Sequence, residues 1–115
     1  IGGTSEKQRE VAEMSVQKLD QWRKEGVTHL LIDVREPYEY GIVEIGGELI
    51  PLATVLESTN RIPKDIPVVV QCRSGARSAS AIRELEDVHG YTNLINLTGG
   101  ILGWQEAIQP ELPRY

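Results

Sequence analysis

"VVVQCRSGARSAS", Val68–Ser80, is the stretch from which the rest of the chain can be read. With the two residues before it, "IPVVVQ" (Ile66–Gln71) brings three consecutive β-branched valines up to the cysteine and is the clearest strand in the sequence. A polar, glycine-bearing turn follows. From about Arg77 to His89, the residues Ala81, Ile82, Leu85 and Val88 recur at helical spacing, and Gly90 supplies the stop. The single cysteine, Cys72, therefore stands at the carboxyl end of a strand and just ahead of a helix amino terminus.

That position has chemical consequences. Gly75 lets the backbone curl where another residue would clash. Consecutive N–H groups curled ahead of a helix form a cradle for an anion. Cys72 lies at its rim, and Arg73 and Arg77 add positive charge. Cysteines in such surroundings ionise at about 3.5–7.5 instead of about 8.5. The functional reading is a nucleophilic thiolate that handles anionic cargo; the plain alternative is a small residue ending a strand, with two exposed arginines. A histidine base is out of reach. His89 lies far down the helix, about 16 Å from the loop at ~1.5 Å per residue. His29 begins the strand that Asp33 ends, about 13 Å away at ~3.3 Å per residue. Both histidines are expected at the surface or in packing roles.

Outward from the loop, strands and helices alternate. "HLLIDV" (His29–Val34) is a second apolar run, "ELIPL" a short strand ending near Pro51, and "YTNLINL" another. After a short stretch around Val11–Met14, Ser15 caps a helix through Val16, Leu19 and Trp22 that stops at Gly26. "EPYEYG" (Glu36–Gly41) reads as a helical turn opened by Pro37. "GGILGWQEAI" (Gly99–Ile108) is the last helix before Pro110. This alternation predicts parallel strands joined by right-handed crossovers in an α/β domain. Sites in such sheets lie beyond the carboxyl ends of the strands, where both Asp33 and Cys72 fall. "TGGILG" (Thr98–Gly103) lacks the Lys-Ser/Thr of a phosphate loop. Its glycines are expected to let the final helix pass close to the cysteine loop. Trp22 and Trp104 are expected in packing.

At 115 residues, 40% hydrophobic and 25% charged, the chain fits one soluble domain with a real core. A net charge of −5 argues against nucleic acid as a partner. No apolar run approaches the ~20 residues of a membrane span. No secretory pattern opens the chain, and one cysteine cannot form an internal disulfide, so the cytoplasm is the expected location. The first residue is Ile1 rather than methionine, which suggests a processed or excised piece. Residues 1–10, polar and glycine-bearing, are expected to form a tail or interdomain linker, with the domain proper over 11–115. Cys72, His29 and His89 fall short of the four ligands of structural zinc, so no metal is expected.

Three stretches together resemble the rhodanese-like sulfurtransferase domain: "LIDVREPYEY" (Leu31–Tyr40), "VVVQCRSGARSASAIRELEDVHGY" (Val68–Tyr91) and "NLTGGILGW" (Asn96–Trp104). The resemblance runs from about Met14 onward. It implies a five-stranded, mostly parallel sheet with helices on both faces. It implies Cys72 as the residue that becomes a persulfide, and a loop of Cys72, Arg73, Ser74, Gly75, Ala76 and Arg77 that cradles the transferred sulfur. No metal or organic cofactor is needed, and the donor would be thiosulfate or the persulfide of a cysteine desulfurase. Asp33 and Arg35 match the family's strand-end motif and, with Ser78, are expected to support the loop. Asp33 is expected to pair with Arg77 or to accept loop N–H groups, against the alternative of a plain surface ion pair.

One segment departs from the commonest pattern. Where many members read G-H-I-P-G, this chain has "VEIGGELIPL" (Val43–Leu52), with Glu44 and Gly46 in the places of His and Pro. That form, with the ending "GGILGWQEAIQPELPRY", resembles the rhodanese domains at the carboxy terminus of ubiquitin-activating-like adenylyltransferases in molybdopterin and thiocarboxylate synthesis. The resemblance implies a small sulfur-carrier protein as acceptor and an attached adenylyltransferase domain. Two other readings compete. Cysteine phosphatases and arsenate reductases use C-x5-R for a tetrahedral oxyanion, whereas Cys72 to Arg77 is C-x4-R and the next arginine, Arg83, lies inside the helix. A catalytically silent binding module is disfavoured by the intact cysteine loop. Arg73 and Arg77, with Arg61 or Lys64, are expected to make a positive entrance to the site.

Overall fold

The computed structural model describes residues 10–115, so the tail or linker expected at 1–10 lies, except for Glu10, outside the described residues. Five short strands form one sheet: β1 (Glu13–Met14), β2 (Leu30–Asp33), β3 (Glu48–Leu49), β4 (Val68–Gln71) and β5 (Leu94–Leu97). Their order is β1-β5-β4-β2-β3, and every pairing is parallel. The helices are α1 (Val16–Glu25), α2 (Pro37–Ile42), α3 (Ala76–His89) and α4 (Gly100–Ala107). Two 3-10 turns, Leu52–Glu57 and Thr59–Arg61, fill the β3–β4 connection. Among the described residues, no helix is long and apolar enough to cross a membrane.

Local sequence explains most boundaries. The Ser15 hydroxyl accepts from Lys18 N at 3.1 Å to start α1, and Gly26 ends it in the left-handed region. Pro37 opens α2 and Gly90 closes α3. The sheet separates two apolar layers. Val68, Val70 and Cys72 face Ala81, Ile82 and Leu85 of α3, together with Val55 of the first 3-10 turn. Leu31 and Val69 face Leu19 of α1 and Ile101 and Trp104 of α4. Helices on both faces are thus as expected.

Val88, read from sequence as part of the buried stripe of α3, is 60% exposed. The buried line runs through Ser78, Ile82 and Leu85, and one helical repeat later it reaches His89, whose Nε2 lies 3.0 Å from the Leu56 carbonyl. The short stretch around Val11–Met14 supplies β1, which pairs with β5 at the sheet edge.

Topology and glycine geometry position the site. The chain leaves β2 toward β3 on one side and leaves β4 toward β5 on the other, so the crevice of the sheet opens at the carboxyl ends of β2 and β4. There α4 closes on the Cys72 loop: Ile101 N donates to the Cys72 carbonyl at 2.9 Å and Leu102 N to the Arg73 carbonyl at 3.1 Å. The approach demands Gly100, because a Cβ there would stand 2.5 Å from both carbonyl oxygens, and its φ is +61°. The expected close passage of the final helix is therefore present.

Gly100→Ala is expected to lower the unfolding free energy by about 3 kcal/mol, combining left-handed strain with overpacking. Urea denaturation measures this, and a variant within ~0.5 kcal/mol of wild type contradicts the close-approach argument.

Candidate active site

Cys72 follows directly on β4 and is 1% exposed, whereas Arg73, Ser74 and Ala76 of its loop are exposed. The sulfur therefore lies at the base of the loop. Gly75, at φ 112°, turns the chain into α3. Gly75 N donates to Cys72 Sγ at 3.1 Å, and Ser78 contributes its N–H and its hydroxyl, each at 3.4 Å. A trans peptide points its C=O and the following N–H in opposite directions. Anchoring the Cys72 and Arg73 carbonyls on α4 thus points the Arg73 and Ser74 N–H groups away from α4, and the Ser74 N–H is directed at the sulfur.

Electrostatics follow from this geometry. Burial pushes the Cys72 thiol up, but hydrogen bonds from the Ser78 hydroxyl and from the Ser78, Gly75 and Ser74 N–H groups outweigh it. The net result is a thiol that ionises below its usual range.

Both loop arginines are engaged by neighbouring side chains. Arg77 forms a bidentate pair with Glu39 of α2, 2.7 Å from Nη1 to Oε1 and 2.9 Å from Nη2 to Oε2, while its charge still interacts with Cys72. That pairing holds the Glu39 carboxyl below the usual carboxylate range and raises Arg77 further above its own. Glu39 is also the N3 residue of a capping box, accepting from Glu36 N at 2.9 Å. Arg73 lies over the Tyr115 ring, 4.9 Å from its centroid, and Tyr115 bonds Tyr38 hydroxyl to hydroxyl at 3.0 Å.

The expected contact between Asp33 and Arg77, or between Asp33 and the loop N–H groups, is not formed. Asp33 pairs with Arg35, both side chains being fully buried, through Nη2–Oδ2 at 2.7 Å and Nε–Oδ1 at 3.0 Å. Residues two apart on extended backbone share a face, so the Arg35 fork folds back on its own strand end before Arg77 comes near. Arg35 Nη2 also donates to the Val43 carbonyl at 2.7 Å and Nη1 to the Glu39 carbonyl at 3.4 Å. The buried pair thus holds both ends of the segment that presents Glu39 to Arg77. The plain surface ion pair is excluded as well.

Of the other expected entrance cations, Arg61 pairs with Glu48 at 2.7 Å beside β3, and Lys64 reaches the His89 carbonyl at the opposite end of the sheet. His29 immediately precedes β2, where it meets Trp22, so both histidines stand at the amino end of the strands. A cleft of about 520 Å³ between α1 and β3, lined by Trp22, Arg23, His29 and Gly46 among others, lies at that same end, away from the cysteine. Trp104 is buried in the core, as expected.

The rhodanese-like domain family matches residues 15–107, which include every loop residue and both members of the strand-end pair. The chain belongs to the rhodanese-like domain family. A sulfurtransferase of Allochromatium vinosum is 38% identical over 95 residues, 82% of this chain and 88% of that one. A probable adenylyltransferase/sulfurtransferase MoeZ of Mycobacterium tuberculosis is 36% identical over 101 residues, 85% of this chain but 26% of MoeZ, so the present chain spans about a quarter of that relative. Among solved structures, a rhodanese-like domain protein from Staphylococcus aureus superimposes with a TM-score of 0.76 at 26% identity, covering 82% of this chain and 91% of that one.

In this rhodanese-like domain, sequence reasoning missed Glu39, Asn96 and Glu13. The E-x-x-E spacing of Glu36 and Glu39 around Pro37 signals the capping box, and a lone polar residue inside "LINL" signals a buried partner for Asn96. No sequence signal ties Glu13 to the loop.

Two outcomes check these assignments. The rate of Cys72 alkylation should rise with pH through a midpoint below the ~8.5 of a free thiol, and Ser78→Ala should move that midpoint up by removing a donor to the thiolate. An unmoved midpoint contradicts the assigned role. Arg35→Ala should cost about 3–5 kcal/mol in urea denaturation by leaving Asp33 buried and unpaired, with much of it recovered in the apolar pair Asp33→Leu/Arg35→Met.

Proposed function

We propose that this chain is a rhodanese-type sulfurtransferase domain that carries sulfane sulfur as a persulfide on Cys72. The observation that supports it best is the set of Gly75 and Ser78 donors converging on a buried Sγ at the base of a six-residue loop whose Arg73, Ser74 and Ala76 are exposed. The Cys72 thiolate attacks the outer sulfur of thiosulfate or of a protein persulfide. The donor's S–S bond breaks, and its electron pair leaves with sulfite or with the donor thiolate. The new terminal sulfur is anionic and extends from the base of the loop toward its exposed rim. Inward N–H groups stabilise it as an oxyanion hole stabilises oxygen. An acceptor nucleophile then bonds to the terminal sulfur, and the Cys72 thiolate is released.

Commitment of Arg77 to Glu39 suits this cycle. A guanidinium clamped on the persulfide would stabilise the loaded state and slow its discharge, because only interactions stronger in the transition state accelerate transfer. Arg73 is the exposed loop cation, positioned to meet an anionic donor or the acidic face of a protein partner.

The relatives named as adenylyltransferase/sulfurtransferases support a finer reading. In it, residues 11–115 form the rhodanese-like domain and 1–10 a linker to an adenylyltransferase in the cytoplasm. The acceptor is then a small sulfur-carrier protein whose adenylated carboxy terminus becomes a thiocarboxylate.

Intact mass after incubation with thiosulfate or a desulfurase persulfide tests the central claim. Wild type should gain one sulfur that cyanide removes, and Cys72→Ser should gain none. No gain from either donor overturns the sulfurtransferase reading and leaves a binding module on the same fold.

A further inference from the structure

The Ser78 hydroxyl has one proton and three acceptors around it. Cys72 Sγ lies at 3.4 Å, the Gly75 carbonyl at 3.2 Å, and Asn96 Oδ1 closer than either. The amide of Asn96 is oriented by its other side. Its Nδ2 donates to the Glu13 carboxylate at 3.2 and 3.3 Å and to the Gly75 carbonyl at 3.2 Å. A carboxylate only accepts, so Glu13 holds Nδ2 toward itself and leaves Oδ1 facing Ser78. Glu13 is in turn held by the Thr98 hydroxyl at 2.7 Å. Sheet register places Glu13, Asn96 and Val70 side by side on the face that α3 covers, which puts this chain of contacts under Ser78.

A hydroxyl whose proton is committed to Asn96 presents lone pairs to Cys72. That arrangement suits a thiol, which donates its S–H to Ser78 Oγ. It opposes a thiolate, which needs the proton turned toward sulfur. We propose that Asn96, oriented by Glu13, is a positioning residue that holds the Ser78 hydroxyl in a hydrogen bond and lets that hydrogen bond turn to Sγ when the Cys72 thiolate forms. In the sulfur-transfer cycle, on which this role rests, this turn coincides with discharge. The acceptor's lone pair bonds to the terminal sulfur, the S–S bond breaks, and its electron pair stays on Sγ. The Ser78 hydroxyl keeps its proton and only rotates, from Oδ1 to the new thiolate. Asn96 thereby moderates the ionisation that Ser78 promotes, keeping the resting thiol less ionised than the bare cradle would make it.

The charged groups around Cys72 are Arg73 in the loop, Arg77 with Glu39 from α2, the Asp33–Arg35 pair at the carboxyl end of β2, and Glu13 from β1 behind Asn96. In its first turn, α4 contributes backbone N–H groups and no charged side chain. Asn96→Ala alters none of these charges. Glu13→Gln removes one negative charge at an exposed position, an effect that is the same with or without the Ser78 hydroxyl.

The test is a double-mutant cycle read by the pH dependence of Cys72 alkylation, which requires no sulfur donor. Asn96→Ala should move the midpoint to lower pH and raise the alkylation rate below it about fivefold, the usual net worth of one hydrogen bond. In a Ser78→Ala background the same substitution should leave the midpoint in place. Glu13→Gln, which lets the Asn96 amide turn over, should lower the midpoint further with Ser78 present than without it. Equal shifts in both backgrounds, or an upward shift with Asn96→Ala, overturn the proposal. Failure to load sulfur with this coupling intact would overturn the sulfurtransferase reading and leave the positioning role standing.

Discussion

The amino end of α4 grips the carbonyls of Cys72 and Arg73, and the rest of the site depends on that grip. Two N–H groups at a helix start are without intrahelical partners in any case. Here Ile101 and Leu102 spend theirs on the loop after β4, which fixes the peptide planes there and directs N–H groups inward. The contact tolerates no side chain at Gly100. A segment more than twenty residues downstream of Cys72 thus determines the shape of the loop around its sulfur.

Against that constraint, the weight of dipoles and charges is clear. The thiol loses solvation by burial, and neutral donors from Ser74, Gly75 and Ser78 restore more than was lost. Cations play a secondary part, because Arg77 is held by Glu39 and Arg73 rests on Tyr115. Arg77 instead ties the first turn of α3 to α2, and α2 is itself held by Arg35 from the strand end of β2. The loop is therefore braced from two directions, by α4 on its carbonyl side and by the Asp33–Arg35–α2 segment on the side of Arg77. This bracing holds backbone donors around Sγ, and dipoles fixed in this way stabilise charge without reorganising when it appears.

Much of this was legible in the sequence. The apolar runs at Leu31 and Val68, the caps at Ser15 and Gly26, and the turn at Gly75 are local signals with local causes, and each element formed close to where its residues place it. Cys72 and its loop were legible for the same reason, since strand end, glycine and helix start are contiguous in the chain. Val88 was misplaced because a helical repeat of 3.6 residues lets a neighbouring position, His89, take over the buried line at the last turn. The 3-10 turns between Leu52 and Arg61 carry no periodicity that would have announced them.

The sequence by itself determined the strand and helix segments, the place of Cys72 at a strand end, the six-residue loop and the family. Each of these rests on residues adjacent in the chain or repeated at a fixed spacing. Only the tertiary structure decided which charges meet. Asp33 and Arg77 both looked available to each other, yet Arg35 reached Asp33 first from two residues away and Glu39 reached Arg77 from across the crevice. It also brought Glu13, Asn96 and Ser78 into one line beneath the sulfur, from three segments joined only by sheet register. Pairing between distant side chains depends on where the packed layers carry them, and a linear sequence holds no record of that distance.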